Sequence, residues 1–245
     1  MISVSPRRKG FTLIELLTVI ATIAILTTNA FAGFFDIMRS SRKNSALNKL
    51  RSIGQGYISW AQGGKVMTRT GTWTPAGNVA TKTSEYAANL AAGAALDSAG
   101  LWFVEGDSIL DPKFISSLPP RVIRGTGDDA SIEPLFLESI ASAKGTSWTV
   151  YANTSARVVG SVSVPLAWTR GLNDSGLWSP ADGTVKGSVW GAEGGHIVYG
   201  DGHVSWCSDT LVTGQNYFTD STGAPTANWQ KSLGVPATAQ ALPQQ

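Results

Sequence analysis

From Phe11 to Phe35 the chain runs for 25 residues with one charged side chain, Glu15. At about 1.5 Å per helical residue, roughly 20 apolar residues cross the hydrocarbon layer of a bilayer. The run therefore predicts a membrane-spanning helix over residues 11–35, and its threonine hydroxyls can bond back to the helix's own carbonyls. Arg7, Arg8, Lys9 and Gly10 lead into it. The anomaly is the acid, because a carboxylate in hydrocarbon is costly and normally marks a function. An ordinary single-span anchor needs no such acid. A secretory signal peptide accounts for the basic start, the apolar centre and the small-x-small site Ala30-Phe31-Ala32, but its apolar core avoids charge.

The rest of the chain has a different character. Only 15% of the 245 residues are charged, against 42% hydrophobic, with 27 Gly and 9 Trp. That balance favours a strand- and turn-rich body over a helical bundle. Beyond the leading Arg7, Arg8 and Lys9 the chain carries 16 bases against 17 acids. A near-neutral body argues against nucleic acid as a partner. The single Cys207 excludes an intrachain disulfide framework and a cysteine-based zinc site.

Taken together, "KGFTLIELLTVIATIAIL" resembles the N-terminal signature of type IV pilins and of the pseudopilins of type II secretion. The resemblance implies cleavage after Gly10 by a prepilin peptidase, which also N-methylates the new first residue, Phe11. It further implies that Glu15 meets the free N-terminal amine of a neighbouring subunit inside a filament. A buried carboxylate is tolerable when a cation is buried beside it, and cleavage would create that cation at Phe11. Many members of the family carry a proline where this chain has Ala32, so Asn29 and Gly33 become the expected weak points of the helix. Basic residues lie on both sides of the span, and charge counting does not orient it. The resemblance does: leader in the cytoplasm, body outside.

Residues 34–62 hold no proline, and Ala46, Leu47, Leu50, Ile53, Tyr57, Ile58 and Ala61 recur at helical spacing. One helix over 11–62 is expected, about 75 Å long. Its second half would lay an apolar stripe on the body while Arg39, Arg42, Lys43, Lys49 and Arg51 face water, lipid headgroups or acidic neighbours. Gly54, Gly56 and the Gly63-Gly64 pair are read as fraying and then a stop. A second helix is predicted over 84–100, and strands in "LWFVEG" (101–106), "SWTVYA" (147–152) and "RVVGSVSVPLAW" (157–168). Residues 111–134 and 169–195 read as long connections. The stretch from 234 to 245 reads as a disordered tail.

The sharpest pattern in the body is "GGHIVYGDGHVSW", residues 194–206. Asp201-Gly202 between two alternating runs predicts a hairpin with a two-residue turn. In that register Tyr199 faces Val204, Ile197 faces Trp206 and His196 faces Cys207. Ile197, Tyr199, Val204 and Trp206 would then form the core face. The hairpin, with "PLAWTRGL" and "GLWSP" upstream, resembles the closing motif of pilin-like families from planctomycete and verrucomicrobial bacteria. Those families often carry a histidine where this chain has Gly191.

Few residues offer chemistry. His203 and Cys207 sit about 13 Å apart along an extended strand, too far to share one metal ion. His196 and Cys207 would be cross-strand neighbours, with no third group to orient them. Asp128, Asp129 and Glu133, and the pair Asn173-Asp174, are candidate calcium ligands without the spacing of a calcium loop. No cofactor, no metal site and no catalytic role are expected.

The expectation is therefore an α+β protein. It would comprise a leader over 1–10, a helix over 11–62, and a pilin-like head with an antiparallel sheet over 63–233. It would be held in the inner membrane with its head in the periplasm. From there it would join other pilin or pseudopilin subunits in a periplasmic or cell-surface filament, through an inner-membrane assembly machinery. The rival reading is a secreted or anchored carbohydrate-binding or hydrolytic protein whose exposed tryptophans grip sugars.

Overall fold

The computed structural model describes residues 11–62, 64–75, 77–152, 159–184, 186–208, 218–235 and 241–244, with the helical backbone alone over 29–33. The chain divides into two compact units, Met1–Lys43 and Asn44–Gln245. One helix, α1 (Leu13–Ala61), runs through the boundary. The α+β class and the pairing of a long N-terminal helix with antiparallel sheets match the sequence reading.

The second unit is layered around a four-stranded antiparallel sheet. Its strands, in spatial order, are β3 (Trp148–Val150), β4 (Pro165–Thr169), β5 (Gly195–Tyr199) and β6 (Val204–Cys207). Every residue of β4 and β5 is buried, so both faces of the sheet are covered. On one face lies the second half of α1, with Ala46, Leu50, Ile53 and Tyr57 buried as the apolar stripe required.

Gly54 and Gly56 do not fray this helix; they let it approach. A β-carbon at Gly54 would overlap Cγ2 of Val198, and one at Gly56 would lie 3.0 Å from Leu96 Cδ2. Lys49 departs from the solvated basic face. Its ammonium donates to the carbonyls of Gly100 (2.8 Å) and Phe103 (2.7 Å). Burial lowers its pKa, against the opposing pull of Glu105.

The other face of the sheet is closed by aromatic packing. Trp229 of α4 (Trp229–Leu233) lies 5.4 Å from Trp168 and 5.7 Å from Tyr151 between ring centres. Asn228 caps this short helix, its side-chain oxygen accepting from the backbone N–H of Gln230 and Lys231. Phe218, in the ribbon of β7 (Phe218–Thr219) and β8 (Pro225–Thr226), packs against Tyr199.

The predicted second helix is α2, Thr83–Ala94, shorter than expected because Ala95 turns left-handed and ends it. It leans on α1 through Gly93, where a β-carbon would meet the Trp60 indole, while Tyr86 stacks on Tyr57 with rings 3° from parallel. "LWFVEG" is not a strand. Leu101 and Trp102 end a 3₁₀ turn, and beyond it the Val104 N–H donates to a side chain, Ser147 Oγ, instead of a neighbouring strand.

The expected loop at 111–134 contains a two-residue ribbon, β1 (Ile123–Arg124) with β2 (Ser131–Ile132). Directly after it comes α3 (Pro134–Ser142), which the sequence reading missed. Its signals were Pro134 in the first turn and Phe136 and Ile140 at helical spacing, both buried.

Of the tail expected to be disordered, 236–240 lie outside the described residues, whereas 241–244 are fastened down. Leu242 N–H donates to Val150 O, Thr83 N–H donates to Pro243 O, and the Gln244 side chain bonds Thr146 and Trp148. These residues line the outer edge of β3.

The long connection after β4 is locked from within. Arg170 grips Asp107 with both terminal nitrogens, at 2.7 and 3.1 Å. The guanidinium also donates to Thr146 O and Gly187 O, and Ser147 Oγ donates to Asp107 at 2.6 Å. Every one of these polar groups is matched, which an ion pair withdrawn from water requires.

Candidate functional site

At the N-terminal end of α1 the sequence Thr12-Leu-Ile-Glu15 forms a capping box. The Thr12 N–H and its hydroxyl both donate to Glu15 Oε2, each at 2.8 Å, and the Glu15 N–H donates back to Thr12 Oγ1 at 3.3 Å. The box satisfies backbone donors that the first helical turn would otherwise leave orphaned. Oε1 of Glu15 takes no bond among the described residues. The motif, threonine followed three residues later by glutamate, was present in the sequence but was not read as a cap. Phe11 is 78% exposed just ahead of the box, and Gly10 lies outside the described residues.

Within the box and beyond it, Leu13, Ile14, Leu16, Leu17, Ile20 and Ile23 are all exposed, as are Phe34, Phe35 and Ile37 further on. These positions cover most of the helix surface and leave only a narrow stripe carrying Glu15, Thr18 and Thr22, a pattern that needs lipid or other helices around it. The threonines behave as expected: Thr18, Thr22, Thr27 and Thr28 donate to the carbonyls of Glu15, Val19, Ile23 and Ile25. Among the described residues no helix is long and apolar enough to cross a membrane. The side chains of 29–33, including the expected weak points Asn29 and Gly33, lie outside that description.

In the head, the hairpin is displaced by one residue from the predicted register. Val198 faces Val204, Ile197 faces Ser205, His196 faces Trp206 and Gly195 faces Cys207. The loop is three residues long, Gly200-Asp201-Gly202. Gly202 takes the left-handed conformation at φ +88°, and Asp201 Oδ1 accepts from the His203 N–H. His196 and Cys207 consequently point to opposite faces and form no pair.

Cys207 is buried, 3.8 Å from the Tyr199 hydroxyl, and burial pushes its thiol up to about 12. That is the reverse of an activated nucleophile. His196 is buried with its ring 4.9 Å from that of Trp206. His203 is exposed, stacked on Tyr199 and bonded through Nδ1 to Asp201 at 2.6 Å.

The candidate calcium ligands serve turns and packing. Asp128 and Asp129 end a 3₁₀ turn, and Glu133 precedes α3 as its cap residue. Asn173 Oδ1 accepts from Ser175 and Leu177, and Asp174 accepts from the Trp229 indole. Among the described residues no group of three His, Cys, Asp or Glu is placed to hold a metal ion. Seven of the nine tryptophans are buried, leaving only Trp73 and Trp206 partly exposed. A cleft of about 900 Å³ between the end of α2 and the β1–β2 ribbon has no aromatic side chain in its lining.

A family model described as the prokaryotic N-terminal methylation motif matches residues 5–28. No curated protein matches the chain, and no solved structure does. The chain thus carries a type IV pilin-like N-terminal signature, centred on the capped and apolar start of α1. The match ends before the head, whose resemblance to planctomycete and verrucomicrobial families gains no support.

Proposed function

We propose that the chain is a pilin-like structural subunit without catalytic activity of its own. A prepilin peptidase cleaves it after Gly10 and N-methylates Phe11. It waits in the inner membrane with its head in the periplasm. Assembly machinery then draws it into a type IV pilus or a type II secretion pseudopilus among other such subunits.

The observation that carries the reading is a coincidence of two features. The matched motif over 5–28 falls on a helix start that is capped by Glu15 and apolar over most of its surface beyond it. In a filament of such helices, Glu15 keeps Oε2 for its own Thr12 and offers Oε1 to the ammonium of a neighbouring Phe11. The rival carbohydrate reading rested on nine tryptophans, and those side chains are mostly spent on the core.

Mass spectrometry of the mature protein from its native host tests the proposal. A chain beginning at N-methylated Phe11 is expected, and Gly10 replaced by a bulkier residue should keep its leader. A mature start at Gly33 would establish an ordinary signal peptide instead.

A further inference from the structure

Two residues past Ile37, the last exposed large apolar side chain of α1, begins a basic triplet, Arg39, Arg42 and Lys43. Their spacing, three and then one, puts all three on one side of the helix. Asp36 precedes Arg39 by three and shares that side, so the segment keeps a net charge of +2. At 1.5 Å per residue the triplet lies about 39 to 45 Å along the axis from Leu13. A bilayer with its headgroups measures roughly 40–45 Å. A helix whose first turn sits at one surface therefore delivers the three cations to the headgroup layer of the other. Arg39 is exposed, and Arg42 and Lys43 are partly so.

The length match, the sign of the charge and the direct continuity with the apolar run select one partner among those available to a basic patch. The geometry points to Arg39, Arg42 and Lys43 as a clamp for anionic phospholipid headgroups of the outer leaflet, which fixes how deep α1 sits before extraction. This rests on the membrane-stored subunit described under the proposed function. Each such cation near an anionic surface favours binding by about fivefold, and salt screens the effect.

The test reconstitutes the chain cleaved after Gly10, without the cations Arg7, Arg8 and Lys9, into phosphatidylcholine vesicles carrying a spin-labelled lipid, either phosphatidylglycerol or phosphatidylcholine. The protein-restricted fraction of each label is read by electron spin resonance. The wild-type chain should prefer the phosphatidylglycerol label about fivefold or more at low salt. That preference should fall towards unity in 0.5 M salt, or with Arg39→Gln, Arg42→Gln and Lys43→Gln combined. Equal restriction of the two labels by a wild-type chain that resists alkaline extraction would overturn the clamp. So would a preference that survives the triple substitution. Unchanged lipid preference with lost filament yield in the triple variant would assign the triplet to acidic neighbouring subunits instead. A chain that washes off at alkaline pH would overturn the membrane-stored subunit itself, and the clamp with it.

Discussion

Gly54 of α1 and Val198 of β5 meet so closely that a β-carbon on the glycine would overlap the valine's Cγ2. Helix propensity favours alanine over glycine by about 1 kcal/mol, yet the overlap costs about 1–3 kcal/mol where packing cannot relax. Gly54→Ala should therefore destabilise the head in urea unfolding, despite its better propensity. Val198→Ala should restore part of the loss when added to Gly54→Ala, and cost stability when made alone. A purely additive double-mutant cycle would show that the two residues do not constrain each other.

Asp107 and Arg170 should behave as a buried pair whose halves cannot be removed singly. With side chains 0% and 3% exposed, neither charge has water to fall back on. Asp107→Ala should cost about 3–5 kcal/mol, read as a lowered urea midpoint with an unchanged slope. Replacing both by apolar residues of similar volume should cost less than the single change.

The buried thiol of Cys207 makes a pH prediction. An exposed thiol ionises near about 8.5, whereas the folded one is raised to about 12. Between those values the unfolded chain has lost a proton that the folded chain keeps, so stability falls as pH rises through that window. Below it the group contributes no slope. Cys207→Ala should flatten the fall above pH 9. In the native protein the thiol should react with iodoacetamide only after unfolding.

Glu15→Val should be cleaved and inserted normally yet enter filaments poorly when it is the only copy. The substitution removes both the acceptor for the Thr12 N–H and the carboxylate available to a neighbouring Phe11 amine. Sheared-filament yield, measured beside cleavage state on the same samples, checks this. Normal incorporation would leave the acid as a helix cap and a processing determinant.

The helix and the sheet were legible because their signals are periodic. The stripe Ala46, Leu50, Ile53 and Tyr57 is buried as its spacing required, and of the strand expected over 157–168 the end forms, Pro165–Thr169, as a central strand, while 159–164 form no strand. The hairpin's existence was legible and its register was not. A glycine after aspartate suits both the two-residue turn and the three-residue loop with left-handed Gly202. Nothing local separates them, yet the choice moves Trp206 from opposite Ile197 to opposite His196.

Gly54 and Gly56 misled for a similar reason. A glycine that weakens a helix and one that admits a neighbouring strand look alike until the neighbour is known. The Thr12–Glu15 box was readable from spacing alone, a threonine followed three residues later by a glutamate at a helix start. The grip of 241–244 on β3 had no sequence signal, since it depends on isolated bonds from Leu242, Pro243 and Gln244.

That grip sets an order in time. Thr83 and Pro243 meet across 160 positions of sequence, and a ribosome adding 5–20 residues per second needs on the order of ten seconds to make them. Within that interval the first turn of α2, and later the outer edge of β3, wait for partners not yet synthesised. An open strand edge is a template for pairing with other chains. The nascent head therefore passes through a window in which that edge stays open, until Leu242 and Gln244 close it.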